Sequence, residues 1–243
     1  MRLIWIITIL LTLQSNWAQA QDEALLQAEQ ARGILTQGDT GVQWTVSVSG
    51  DKSARFLAIS QNGKIFAEVQ EPEDALGRKY LAESKGNMWF WKPGLSRPVS
   101  VSKRQRLSGD AAIGDIASTS FVDGYKVESK ESGEVNGEPA TVYTMKANSL
   151  SDTYASIKYW VTQSGSLGKK AEFYAKSGAL LRSSVMAYDN KVNGRPFISK
   201  MTIKDSSRTI EISFSDIKIG KYPERIFTRD HLGGTRSGGV YKK

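Results

Sequence analysis

The sequence contains no cysteine, which excludes a disulfide framework, a thiolate metal site and a cysteine nucleophile. It also excludes the lipobox cysteine through which exported bacterial proteins are lipidated. Histidine occurs once, as His231. A histidine-dependent triad, such as a lipid-acting hydrolase would carry, has only that residue to use, and metal ligation by His and Cys fails for want of ligands. Ser164-Gly165-Ser166-Leu167-Gly168 does not make a Gly-x-Ser-x-Gly elbow, and no Gly-Lys-Ser/Thr phosphate loop occurs. No apolar run approaches the roughly 20 residues of a membrane-spanning helix. These absences argue against an enzyme, and neither cofactor nor metal is expected.

What is present begins with Leu3 to Leu13, an apolar run of about 11 residues behind Arg2. Gln14, Ser15 and Asn16 end it, and Ala18-Gln19-Ala20 supplies a small-residue cleavage site. We expect residues 1–20 to be a secretory signal peptide cleaved after Ala20, with the periplasm as destination. The remaining chain has about 223 residues and a charge of about +7, against +8 for the whole sequence. That is enough for one large β domain. Its basic residues are interspersed with Asp and Glu, so no phosphate-tracking stripe forms and no nucleic-acid partner is expected. Anionic lipid surfaces and acidic proteins remain open as partners.

Ala24, Ala28, Ala31 and Leu35 recur at helical spacing and predict an amphipathic helix over Asp22 to Leu35. From Val42 the period becomes two: Val42, Trp44, Val46 and Val48 alternate with polar residues, as a half-buried strand does. Further strands are expected at Arg55 to Ser60, Ile65 to Gln70, Lys79 to Ser84, Met88 to Trp91, Tyr125 to Lys130, Ala140 to Ala147, Ala155 to Thr162, Lys170 to Ala175, Leu180 to Asp189, Phe197 to Lys204 and Thr209 to Ile217. Asn62-Gly63, Asn136-Gly137 and Asn193-Gly194 are hairpin signals, because Asn and Gly tolerate positive φ. A helix is expected at Gly109 to Ser118, where Ala112, Ile113, Ile116 and Ala117 share a face. The pattern lacks βαβ alternation, which predicts a mainly β fold: one strongly curved antiparallel sheet of about 10–11 strands, an incomplete barrel around helices. Charges on the face that an outer-membrane barrel turns to lipid argue against such a barrel. Residues 21–232 form the expected domain, and the Gly-rich basic stretch 233–243 reads as a flexible tail.

The apolar inventory is concentrated on strands. In Met88-Trp89-Phe90-Trp91, the two tryptophans point to one face and Met88 and Phe90 to the other. Trp44, Phe56, Phe66, Trp89, Trp91, Tyr143, Tyr159, Phe173, Met186, Ile203 and Phe214 are the candidates for the concave face. They form either an ordinary core or the lining of a hydrophobic pocket for acyl chains, where each buried CH₂ contributes about 0.8 kcal/mol.

Four runs carry a resemblance: Trp89-Phe90-Trp91-Lys92-Pro93, Arg97-Pro98-Val99, Leu107-Ser108-Gly109-Asp110 and Gly114-Asp115-Ile116-Ala117. Tyr159-Trp160-Val161, Lys170-Ala171-Glu172-Phe173-Tyr174, Gly178-Ala179-Leu180-Leu181, Met201-Thr202-Ile203 and Phe227-Thr228 with Leu232 extend it. As a set they resemble the LolA-like outer-membrane lipoprotein-sorting proteins, over nearly all of the chain after the signal. The resemblance implies a LolA/LolB-like unclosed sheet with helices covering its concave face as a lid, in which Ile113 and Ile116 would sit. The lid departs from many relatives in reading Ala111-Ala112-Ile113 where they are apolar-aromatic. The family's carrier latches its lid with a strand arginine, for which Arg78 and Arg104 are candidates. The resemblance also implies a periplasmic carrier or chaperone, a monomer that binds acyl chains of lipoproteins or other lipids and moves them toward the outer membrane. Its donor would be an inner-membrane transporter and its acceptor an outer-membrane component. The alternative is a non-enzymatic accessory subunit of an envelope transporter, acting by protein–protein contact through its basic surface.

Overall fold

The computed structural model describes residues 16–34, 39–50, 53–83, 87–102, 105, 120–122, 124–150 and 152–234. The helix expected at Gly109 to Ser118, with Ile113 and Ile116, lies outside these residues, as do Arg104 and the tail from residue 235.

Helix α1 spans Asn16–Ala31. It starts upstream of the expected cleavage position and ends earlier than the apolar spacing predicts. Gly33 adopts φ 77°, a left-handed conformation open to glycine, which stops the helix. Among the described residues fifteen strands follow: β1 Gly41–Ser49, β2 Ala54–Gln61, β3 Lys64–Glu71, β4 Lys79–Ala82, β5 Met88–Trp91, β6 Val99–Ser100, β7 Tyr125–Val135, β8 Glu138–Ala147, β9 Ser156–Thr162, β10 Gly168–Tyr174, β11 Leu180–Ala187, β12 Asn190–Val192, β13 Arg195–Phe197, β14 Lys200–Lys204 and β15 Thr209–Gly220. A 3₁₀ turn at Glu224–Phe227 and helix α2, Arg229–Leu232, end the described chain.

Thirteen strands, more than the 10–11 expected, form one sheet in the order β6-β5-β4-β3-β2-β1-β15-β14-β11-β10-β9-β8-β7, while β12 and β13 pair separately. Every pairing is antiparallel, and the two edge strands do not meet. The expected strand Phe197 to Lys204 is split because Ile198 leaves the ladder: its N–H donates to the Ala31 carbonyl at 2.8 Å. Ser60 Oγ likewise donates to the Gly33 carbonyl at 2.6 Å. The sheet thus satisfies carbonyls that the helix terminus leaves open.

Those contacts bend the sheet. Gly33 lies against Trp44 of β1 and Phe197. Glu29, one turn earlier, accepts a hydrogen bond from Phe121, whose ring packs on Tyr159 of β9. Five strand spacings separate β1 from β9, roughly 24 Å in a flat sheet, so the sheet wraps round α1 and the α1 face is the concave one. The outer edge, β7, carries Lys126, Glu128, Lys130, Glu131 and Glu134, charges that discourage edge-to-edge association.

Candidate functional site

Cross-strand register assigns the side chains to faces, because directly paired residues point the same way. One row runs Trp44, Ala58, Ala67, Tyr80, Phe90 across β1 to β5. Another runs Tyr143, Tyr159, Ala171, Ser184, Ile203, Ile210 across β8 to β15. Both belong to the α1 face, where Leu25 and Ala28 of the helix join one buried cluster with them. Of the eleven predicted lining residues, Trp44, Phe56, Tyr143, Tyr159, Phe173, Met186, Ile203 and Phe214 come together here, all buried except half-buried Phe56. Toward β5 the covering thins. Phe56, Tyr80 and Phe90 form a half-buried aromatic row, with ring centroids 6.3 Å and 5.1 Å apart. Val99 of β6, paired with Phe90, is exposed. Aromatic rings in such a row present a broad apolar surface that water wets poorly.

The other three predicted residues, Phe66, Trp89 and Trp91, face the opposite side. Phe66 pairs with Leu81 and Leu81 with Trp89. There Phe66 is buried in a cluster with Ile59, Tyr222, Ile226, Phe227 and Leu232, the last four from the C-terminal segment, and Trp89 and Trp91 pack half-buried against it. Arg229 stacks on Trp89 at 4.5 Å, and buried Lys79 lies 5.3 Å from the Trp91 ring and donates to the Gly234 carbonyl at 3.0 Å. Burial pulls the Lys79 pKa down, with neighbouring Glu68 acting against the shift. His231 sits edge-on to Phe66 at 5.6 Å, and burial with Lys79 and Arg225 nearby lowers its pKa. An open groove of about 760 Å³ follows this segment, lined among others by Glu83, Trp89, Arg97, Val99 and Arg229.

The α1 face also holds charge that composition does not reveal. Arg32 Nη1 and Glu29 Oε1 are 2.5 Å apart, and both side chains are wholly buried. The second Glu29 oxygen accepts from the Phe121 N–H at 2.8 Å, and the guanidinium lies 3.8 Å from the Phe121 ring centroid. Burial acts to lower the Arg32 pKa, but the Glu29 carboxylate overrides it and the net shift is upward. Tyr159 and Tyr188 stand beside the pair, and burial pushes both phenols well up. Tyr188 donates to the Gly168 carbonyl at 2.7 Å, and a Cβ on Gly168 would lie 1.7 Å from Tyr159 Oη, so only glycine fits there. The i, i+3 spacing of Glu29 and Arg32, each directly after a helix-face alanine (Ala28 and Ala31), is the sequence signal for this node. Arg78, a candidate latch, instead donates to the Asp74 carbonyl of its own loop at 3.0 Å. Among the described residues, no three His, Asp or Glu side chains gather as a metal site requires.

This unclosed antiparallel sheet wrapped round a helix is similar to solved structures of the LolA superfamily. A LolA superfamily protein from Nitrosomonas europaea matches with TM-score 0.70 and 28% identity, over 86% of this chain and 98% of its own. A putative outer membrane lipoprotein-sorting protein domain from Vibrio parahaemolyticus matches with TM-score 0.70 at 18% identity, over 88% of this chain and 99% of its own. A DUF1329 family protein from Desulfovibrio piger gives TM-score 0.70 at 17% identity, over 88% and 98%. No curated protein matches the chain. Residues 61–233 match the model of the DUF1329-like family, whose description is "uncharacterized protein", and the chain belongs to that family.

Proposed function

We propose that this protein is an exported, non-enzymatic carrier that holds acyl chains of a lipid or lipoprotein against the concave face of its sheet. The periplasm is its compartment, through the signal at residues 1–20, and its course runs from an inner-membrane donor toward the outer membrane. The observation that carries the reading is the half-buried row Phe56, Tyr80 and Phe90, which continues the buried apolar face to the open edge of the sheet. An acyl chain laid along it removes its own surface and that of the rings from water, about 0.8 kcal/mol per CH₂. A sheet edge that never closes lets such a chain enter sideways. The Nitrosomonas relative's membership of the LolA superfamily supports the reading.

Phe90 and Trp91 are neighbours on one strand that point to opposite faces, which makes them a paired test. Phe90→Asp should abolish exchange of a fluorescent phospholipid and remove co-purifying lipid from organic extracts read by mass spectrometry. Trp91→Asp should leave lipid recovery per folded molecule unchanged. Repeated recovery of lipid-free wild-type protein that exchanges no lipid, or equal effects of the two variants, would overturn the proposal.

A further inference from the structure

The two most exposed large hydrophobic side chains among the described residues are Leu150, 77% exposed, and Leu180, 54% exposed. They stand at the same end of the sheet. Leu150 lies in the loop between β8 and β9, and Leu180 opens β11. Between them the Ala155 N–H donates to the Tyr174 carbonyl at 2.9 Å, and Tyr174 pairs with Leu180. A single exposed leucine needs no explanation; two on adjoining loops, set among unequal charges, ask for one.

The exposed charge at this end is mainly positive. Lys176 occupies the turn between β10 and β11, and Lys126 and Lys146 are directly opposite on exposed positions of β7 and β8. Like charges placed so are unfavourable in an isolated sheet. The neighbouring carboxylates are largely taken up. Asp152 is buried and accepts from the Ser149 N–H at 2.9 Å. Glu172 is held by Lys170 at 2.7 Å and by Tyr174 at 2.5 Å, and Glu128 stands 3.6 Å from Lys146. Asp205 faces Arg208 at 3.5 Å and Arg182 at 3.9 Å.

We propose that this end of the sheet docks on an anionic phospholipid bilayer, with Leu150 and Leu180 entering the headgroup layer and Lys126 and Lys176 above the phosphates. Apolar insertion and lysine attraction act together in such contacts. The inference goes beyond the carrier reading and does not need it, since the docking end carries none of the aromatic row.

The test is vesicle co-sedimentation of protein recovered from the periplasm of an expressing host. Vesicles of phosphatidylglycerol mixed with phosphatidylethanolamine are compared with pure phosphatidylcholine. Wild type should sediment with the anionic vesicles at low salt and lose most of that binding at 0.5 M salt. Leu150→Asp/Leu180→Asp should lower the partition coefficient by at least about tenfold. Lys126→Gln/Lys176→Gln should lower it by about tenfold or more at low salt, from about 1 kcal/mol per lysine. Ile219→Asp, also at an exposed apolar residue but at the opposite end of the sheet, should change nothing. Absence of binding to anionic vesicles, equal binding to phosphatidylcholine, or an Ile219→Asp effect equal to that of the leucine pair would overturn the proposal. Lipid exchange measured on the same leucine variants in detergent micelles, without a bilayer, should remain intact, which separates docking from cargo binding.

Discussion

Arg32→Met should be among the most damaging single substitutions in this protein, and its partner substitution should undo much of the harm. Methionine keeps the length of the side chain and its packing beside Phe121 but removes the guanidinium. Glu29, with a fully buried side chain, is then left as a carboxylate held by the Phe121 N–H at 2.8 Å. Breaking one side of a buried ion pair costs about 3–5 kcal/mol, because the remaining charge is stranded in a medium that solvates it poorly. In a protein of this size about 1 kcal/mol corresponds to roughly 2–4 °C in Tm, so a loss of about 10 °C or more is expected. Glu29→Gln/Arg32→Met keeps an acceptor for Phe121 and removes both charges, and should recover most of the deficit. Urea unfolding followed by tryptophan fluorescence at pH 7 measures all three proteins. The single variant also carries a pH signature. Without its cation, burial pushes the Glu29 carboxyl up, so stability is fullest below the unfolded carboxylate pKa and falls as pH rises through the folded one. Its deficit against wild type should therefore shrink as pH is lowered. A loss below about 1 kcal/mol, or a double variant no better than the single, would refute the reasoning that this pair organises the helix on the sheet.

Two further outcomes follow from local geometry. Gly168→Ala should destabilise by about 1–3 kcal/mol or more by thermal unfolding, since the new Cβ would lie 1.7 Å from Tyr159 Oη, inside a wholly buried site. His231 has a lowered pKa in the folded protein, so stability is present above the unfolded value near 6.5 and is lost as pH falls through the folded one. The wild-type urea midpoint should drop between pH 7.5 and 5, and His231→Gln should flatten that slope. The depressed carboxylates of Asp39, Glu172 and Asp205 lose their contribution only at more acid pH. Equal slopes for the two proteins would sink the assignment.

The strands were readable because their signal is local. Period two marks the half-buried faces, and Asn62, Asn136 and Asn193 do adopt φ of 53°, 52° and 50° in the turns expected of them. Strand order was not readable. The pairing of Gly41 with Gly220 closes β1 on β15 across most of the chain, and nothing near either residue announces it. The length of β7 escaped for a related reason. Glu131, Ser132, Gly133 and Glu134 show no apolar alternation, and they are strand because β8 offers a partner for each. Edge strands draw their structure from the neighbour more than from their own pattern.

At the candidate site, alternation gives relative faces and leaves the absolute side open. Trp89 and Trp91 do oppose Phe90, as the period requires. Which pair faces the concavity is decided over a hundred residues later, where Ile226, Phe227 and Leu232 return to pack against the tryptophans. Glu29 and Arg32 were hidden by composition, because a charged pair on a helix reads as solvated surface until Phe121 and Tyr159 are found packed over it. Once both facts are in place, the short strand Met88–Trp91 divides its work by parity. Its half-buried tryptophans pack against the chain's own C-terminal segment. Phe90 remains half-buried with Tyr80 at the thinly covered end of the apolar face. Cations stand against the indole rings, Arg229 on Trp89 and Lys79 beside Trp91, whereas Phe90 and Tyr80 continue the apolar α1 face, so the proposed acyl cargo would find its place beside Phe90 and Tyr80 rather than at the larger indoles.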